Sequence, residues 1–321
     1  MTDLTYRGSD ASVVDYLCSK ACTVEVFSWC ESGQNRFDFS AATVLTDLGL
    51  EITGRSAHLR LPVHGHFEQL RLMKVSAGCK VSVACPEKGR GVCLMVADGP
   101  LVTIPGLKKI SSLELFGVRN VDVAEVVKAY PNLTELTMSF KSGGLISVTS
   151  LTKLRHLKCL RIFECYDLNV PDFPGAAQMP NLQTVYIDGI RAADAKLRAE
   201  TLRGIEDLTI CGRRTDQWIA NNLDNPFRHW DEDSGASTGK KVMNAWKTAM
   251  TEIGKLPARG SKTKGKAVLN SFVEVFNKLD QRSGLTTDQR EQIRDAFFGL
   301  AAKLPPGTVT DDDYDSWAKY A

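Results

Sequence analysis

Apolar residues recur in a fixed short pattern between Leu107 and Gly212, in which an apolar residue is followed by two others three and five positions later. The middle apolar position falls at residues 113, 136, 160, 185 and 208, in steps of 23, 24, 25 and 23. Side chains alternate between the two faces of a strand, so the last two apolar residues of each segment point the same way. The pattern therefore predicts five short strands. One such unit cannot bury its own apolar face, so the strands must stack on one another.

The stretches between these strands predict helices. Residues 121–132 and 194–204 have apolar side chains at helical spacing and end near Pro131 and Gly204. Strand and helix alternation indicates an α/β fold with a parallel sheet. Five strands of an ordinary sheet are the alternative interpretation. The nearly constant step between the strands favours a repeat.

This pattern resembles the leucine-rich-repeat family, whose units are about 20–29 residues long. Cys165 lies at the position where that family uses asparagine or cysteine. The resemblance covers about a third of the chain. It implies a solenoid with a curved parallel sheet, and a concave face that binds proteins.

Upstream of this region, similar apolar pairs are spaced by only 11 to 13 residues. The pairs are Leu59/Leu61, Leu70/Leu72, Val81/Val83 and Leu94/Val96. This spacing is too short for a strand and a helix, and it predicts strands joined by tight turns. Residues 51–106 are then either a β-rich extension of the solenoid or an antiparallel meander that covers its open end. Residues 1–50 are expected to form an N-terminal α/β cap, because terminal repeats otherwise expose the core.

Downstream of 107–212 the repeat stops, and the chain is expected to become helical. Residues 213–239 are predicted to be a linker, and 240–321 an α-helical C-terminal domain. Helices are predicted near 240–254, 265–281, 286–303 and 312–320, with a flexible segment at 256–267. Thr286-Thr287-Asp288 is a typical helix start.

The charge and the cysteine content indicate the class of partner and the cellular compartment to expect. The chain has 40 lysines and arginines against 38 acidic residues, so its overall charge does not favour nucleic acid or an anionic membrane. Its first residues do not resemble a secretory signal, and no apolar run is long enough to span a membrane. Nine cysteines without a disulfide-like spacing are typical of reduced thiols. We therefore expect a cytoplasmic protein without membrane partners.

Candidate chemistry is sparse, and we expect neither a cofactor nor a metal nor catalytic residues. The segment 234–241 lacks the first glycine and the hydroxyl residue of a phosphate-binding loop. His64 and His66 lie near several cysteines, but without the spacing of a zinc site. No cysteine occurs in 213–321, which excludes a thioester-forming ligase centre there. The sequence predicts a protein that is not an enzyme.

One segment has a strong local charge. Residues 240–266 contain eight cationic side chains against Glu252 alone. Nucleic-acid binding through this segment is the alternative function, since lysines neutralise phosphates. Trp246 is the segment's only aromatic residue, so we favour a solvated surface.

The predicted function is non-enzymatic protein–protein interaction through the concave face. Residues between and after the strand leucines should lie on that face, where aromatic side chains alternate with charged ones. The candidate partner-binding residues are Glu114, Phe116, Phe140, Arg161, Phe163, Tyr186 and Asp188. Alternatively, the C-terminal helices or the N-terminal cap cover the phenylalanines. The partner's identity does not follow from the sequence, and a bacterial immunity, inhibitor or effector-type role rests on analogy of fold alone.

Overall fold

The chain divides into two compact units, and the boundary along the sequence lies between Asp216 and Gln217. A computed structural model describes residues 2–141, 143–166, 168, 172–257, 262–305 and 308. Each unit has its own hydrophobic core. The first unit is mixed α/β and the second is helical.

Ten strands of the first unit form one sheet in which every pair of neighbours is parallel. In sheet order these strands are β1 (Asp3–Arg7), β2 (Val26–Cys30), β4 (Asp47–Glu51), β6 (Gln69–Met73), β8 (Cys93–Ala97), β9 (Ser112–Val118), β11 (Glu135–Phe140), β13 (Cys159–Phe163), β14 (Thr184–Arg191) and β15 (Asp207–Arg214). Strands β3 (Arg36–Asp38), β5 (Ser56–Arg60) and β7 (Lys80–Ala84) form a second parallel sheet, and β10 (Val121–Asp122) pairs with β12 (Leu145–Ile146). The parallel sheet predicted for 107–212 is confirmed, and it extends over the N-terminal half as well.

The short spacing in 51–106 has a simple structural reason. Leu70/Leu72 and Leu94/Val96 lie on β6 and β8 of the ten-stranded sheet, whereas Val81/Val83 lie on β7 of the second sheet. Within the large sheet, the step from Leu70 to Leu94 is therefore 24 residues, the same rhythm as downstream. The antiparallel meander is wrong, because the strands of 51–106 pair in parallel and β6 and β8 continue the large sheet. The predicted cap, 1–50, also contributes strands to this sheet.

The segments that connect successive strands of the large sheet pack against the opposite side of the same core. We call them return segments. In the N-terminal half the return segments are β3, β5 and β7, whose Phe37, Leu59 and Val83 are buried in the same core as the large sheet. In the C-terminal half the return segments include α2 (Val123–Ala129), α3 (Ala192–Thr201) and short 3-10 helices at Val148–Lys153 and Ala176–Gln178. Both predicted helices of this half are thus present. A further helix, α1 (Ser12–Leu17), lies between β1 and β2.

The second unit is built from α4 (Asp216–Asn222), α5 (Trp230–Asp233), α6 (Ala236–Gly254), α7 (Lys262–Ser283) and α8 (Thr287–Ala301). The three long helices match the predicted segments, while the helix expected at 312–320 lies outside the described residues. Residues 213–239 are not a linker, because Phe227 and Trp230 are buried in the core of this unit. Residues 262–267 of the predicted flexible segment belong to α7.

Thr286 is the N-cap of α8, as the sequence indicates. Its hydroxyl accepts a hydrogen bond from the backbone N–H of Gln289 at 3.3 Å, and the Gln289 side chain accepts one from the Thr286 N–H at 3.1 Å. This reciprocal pair is a capping box. None of the described helices is both long enough and apolar enough to cross a membrane.

Candidate functional site

The candidate site is the face of the ten-stranded sheet that points away from the core, which we call the open face. It consists of every second strand residue, in register across neighbouring strands. In strand order its middle row is Thr5, Ser28, Gly49, Arg71, Met95, Glu114, Thr137, Arg161, Tyr186 and Thr209, and its carboxyl-end row includes Glu51, Met73, Ala97, Phe116, Ser139, Phe163, Asp188 and Cys211. Six of the seven predicted partner-binding residues belong to these rows.

An aromatic pair marks the C-terminal half of the open face. The rings of Phe163 and Tyr186 lie 5.5 Å apart on adjacent strands, and both side chains are partly exposed. The Cys211 thiol lies within hydrogen-bond distance of the Tyr186 hydroxyl, at 3.5 Å, and this contact, with burial and the nearby Asp188, raises the pKa of Tyr186 to about 12. Tyr186 therefore remains a neutral phenol. Its ring and that of Phe163 form a rigid apolar contact area.

Glu114 lies two strands from this pair, between Met95 and Thr137 in the middle row. Burial raises the pKa of its carboxyl, while Arg161 opposes the shift and Glu135 adds to it. Arg161 instead pairs with Glu135 at 3.6 Å. Within the described part of the chain, Glu114 makes no ion pair. The open face thus carries a half-buried carboxylate whose charge is poorly compensated.

Phe140 is the predicted site residue that the structure places elsewhere. It is 1% exposed and belongs to the core. The reason is the alternation of side chains, because Phe140 is two residues from the inward-facing Met138 and therefore points inward too. In the neighbouring strand it is paired with Val118, which is also buried, across an irregularity of the register. The prediction that Phe140 lies on the binding face is wrong.

The N-terminal half of the open face was missed by the sequence analysis. There, Arg71 on β6 pairs with Asp47 on β4 at 2.8 Å and donates to the Ser28 hydroxyl at 3.3 Å. Glu51 pairs with Lys74 at 2.6 Å and also accepts from the backbone N–H of Glu31. The Lys74 contact lowers the pKa of Glu51. The signal was present in the 22- and 24-residue steps between Leu48, Leu70 and Leu94, but the intervening pairs on the second sheet concealed it.

Glycine makes room for a further ion pair at the carboxyl ends of the strands. Lys141 pairs with Asp98 at 2.6 Å, although β9 lies between their strands. Gly117 on β9 has a positive φ of 65°, and a Cβ placed there would lie 2.6 Å from the Asp98 carboxylate. Only glycine fits both constraints. The ion pair therefore spans three strands at the border of the open face.

The other candidate groups, namely the histidines, the thiols and the basic segment, do not come together in a common site. His64 and His66 have ring centroids 6.0 Å apart, but no group of three or more potential metal ligands occurs within the described ranges. Burial raises the pKa of several thiols, including Cys93 and Cys159 on the open face, which disfavours the reactive thiolate. Most of the basic segment 240–266 is helical: its lysines lie on α6 and α7 except Lys255, which caps α6 and pairs with Glu252 at 2.8 Å. Arg259 lies outside the described residues.

Comparison with known proteins adds no identification. No model of a known protein family matches this chain, and no curated protein matches it at a significant level. Function therefore has to be argued from the residues of the open face and of the surfaces around it.

Proposed function

We propose that residues 1–216 form a leucine-rich-repeat solenoid, and that its open face binds a partner protein without catalysing a reaction. The observation that carries this proposal is a set of partly exposed apolar side chains among paired charges, in two groups that Thr137 and Ser139 of β11 separate. Met73, Met95, Phe116, Phe163 and Tyr186 lie on five strands of one sheet. Aromatic and methionine side chains of this kind are enriched at the centres of protein interfaces.

The rigidity of this face supports the proposal. All ten strands pair in parallel, with one irregularity of register between β9 and β11, and ion pairs such as Arg71–Asp47 hold long side chains in place. A preorganised surface loses little conformational entropy on binding. The half-buried Glu114 adds a specific element, because a lysine or arginine of the partner would neutralise it. An immunity, inhibitor or effector-type role within this class is a subsidiary proposal based on fold analogy.

Site-specific photo-crosslinking in cells of the source organism tests the proposal. A benzoylphenylalanine placed at Phe163 should crosslink to a discrete protein, which mass spectrometry identifies. The same residue at Tyr16, an exposed aromatic on α1, serves as the control position. The affinity of the identified protein is then measured with purified full-length variants.

Phe163→Ala with Tyr186→Ala should weaken binding by about 2 kcal/mol or more, seen as a higher Kd, as expected for aromatic anchors. Tyr16→Ala removes an exposed aromatic ring elsewhere and should leave the Kd unchanged. The proposal fails if position 163 yields no discrete crosslink, or if the double variant binds as tightly as the unchanged protein. Crosslinking to nucleic acid through 240–266 would favour the alternative function instead.

A further inference from the structure

A second surface lies at the amino-terminal edge of the ten-stranded sheet. Because the strands are parallel, the loops that precede them all lie at this edge, in the order of the strands. Five adjacent loops, 86–92, 105–111, 130–134, 152–158 and 178–183, precede β8, β9, β11, β13 and β14. Their cationic residues are Lys88, Arg90, Lys108, Lys109, Lys153, Arg155 and Lys158, and we call this set the basic rim.

The basic rim concentrates positive charge far beyond the chain as a whole. Its loops contain seven cations and one acidic residue, Glu87, a net charge of +6 in a protein whose total is +2, and the exposed Glu135 begins β11 directly after the third loop. All seven side chains are exposed, and only Arg90 makes an ion pair with a described residue, to Glu87. The flanking loops at the same edge are neutral or acidic. The charged residues are Lys20 and Glu25 before β2, Glu68 before β6, and Arg203 and Glu206 before β15.

Hydrogen bonds between the loops hold the basic rim in place. The backbone N–H of Lys109 donates to the Lys88 carbonyl at 2.9 Å, which joins the first two loops. The Asn132 side chain donates to the Lys108 carbonyl at 3.4 Å, and the Asn181 side chain donates to the Arg155 carbonyl at 2.8 Å. The charges are therefore carried by an ordered backbone, although the side chains themselves reach into solvent.

A cavity of about 320 Å³, lined by apolar and polar groups, lies at one end of the basic rim. The buried side chains of Leu151, Leu154, Leu157 and Met179 line it, and the exposed Arg155, Gln178 and Asn181 surround its opening. A cavity of this size accommodates one aliphatic or aromatic side chain. Positive charge and an apolar recess thus occur side by side, on adjacent loops.

We infer that the basic rim binds an acidic protein segment, whose aspartates and glutamates contact the lysines and arginines while one apolar side chain enters the cavity. The cavity distinguishes this ligand from nucleic acid, which lacks aliphatic side chains. The described residues of the rim loops also present no exposed phenylalanine, tyrosine or tryptophan on which bases would stack. This inference is independent of the proposed function, because the open face and the rim share no residue.

The dimensions of the rim indicate the length of the segment. The five strands from β8 to β14 span four inter-strand spacings, about 19 Å. An extended peptide covers this distance with about six residues, at roughly 3.3 Å per residue. Several carboxylates can then contact the rim at once, and such multiple contacts weaken as salt screens them.

Fluorescence anisotropy with the full-length protein tests the inference. The probe is a rhodamine-labelled nonapeptide that contains six glutamates and one leucine, together with the same peptide in which serine replaces the leucine. We expect Lys109→Glu with Arg155→Glu to raise the Kd of the leucine peptide about tenfold or more. Lys240→Glu with Lys241→Glu makes the same change of charge on α6 and should leave the Kd unchanged.

The serine peptide should bind about fivefold more weakly than the leucine peptide, since it forgoes burial of an apolar side chain. Equal affinity for the two peptides would overturn the inference and indicate a nonspecific polyanion surface. Equal loss in both charge-reversed variants would also overturn it, as would the absence of peptide binding. So would tighter rim-dependent binding of a labelled single-stranded RNA or of phosphatidylserine vesicles.

Discussion

Gly49 leaves the space on the open face that the Arg71 guanidinium occupies. A Cβ built on Gly49 would lie 3.5 Å from the guanidinium carbon of Arg71 and 3.0 Å from the Ser28 hydroxyl. Arg71 lies on the strand next to Gly49 and reaches across it to Ser28 on the strand beyond. A residue without a side chain therefore allows one arginine to connect three strands.

Replacing Gly49 by leucine should displace Arg71 and break its contacts with Ser28 and Asp47. Crowding of this buried position should lower the free energy of unfolding by about 1–3 kcal/mol. Chemical denaturation of the full-length protein measures the change. Gly65→Leu is the matched control, since a Cβ at Gly65 meets no atom within 4 Å. Similar losses in the two variants would show that the Arg71 contacts do not matter.

Phe140→Ala and Phe163→Ala should have opposite effects on folding and binding. Phe140 is 1% exposed in the core, so its removal should cost about 3–5 kcal/mol of stability. Phe163 is partly exposed and loses mainly its ring contact with Tyr186, a cost of about 1 kcal/mol. Thermal and urea unfolding of both variants give the comparison. Equal destabilisation would contradict the assignment of the two residues to opposite faces.

Glu114→Gln should make the protein more stable at neutral pH. Burial raises the pKa of Glu114 in the folded state, so the native protein binds more protons than the unfolded chain between the two pKa values. Stability then falls as pH rises through that window and stays lower above it. Glutamine removes this loss. Urea unfolding at about pH 4 and about pH 7 should show a larger advantage of the variant at the higher pH.

The control for Glu114→Gln is Glu125→Gln, which removes the same charge from an exposed position on α2. An equal change with pH in both variants would point to the overall charge of the protein. The proposed function adds a second readout, because the Glu114 carboxylate is expected to meet a cation of the partner. The stabilised Glu114→Gln variant should therefore bind that partner more weakly.

Thr286→Ala should loosen the start of α8 in the helical unit. The variant loses the hydroxyl that accepts from the Gln289 N–H, and loss of an N-cap costs about 1 kcal/mol. Amide hydrogen exchange of residues 287–301 should become about fivefold faster. Thr287→Ala, one position later and outside the capping box, is the control. Unchanged exchange in Thr286→Ala would show that tertiary packing alone holds this helix start.

Local patterns in the sequence determined the strands of 107–212, the long helices of the second unit and the Thr286 cap. They did so because these features depend on residues a few positions apart, whose alternation or helical spacing states which face is buried. Phe140 belongs to this class as well. Phe140 lies an even number of residues from Leu136 and Met138, so all three point to the same, core-facing side of the strand. The sequence analysis nevertheless assigned Phe140 to the opposite face.

Only the tertiary structure decided which sheet each N-terminal strand joins. Apolar pairs at 11–13-residue spacing look alike along the chain, whether they lie on the large sheet or on the second one. Only the tertiary structure likewise revealed the Arg71–Asp47 ion pair, the electrostatic interaction of Arg161 with Glu114, and the basic rim. Neighbours across a parallel sheet are separated by a full strand, return segment and loop, here about 19–25 residues. Charges that meet at one edge are therefore scattered in the sequence, and the pairing of the parallel strands brings them together.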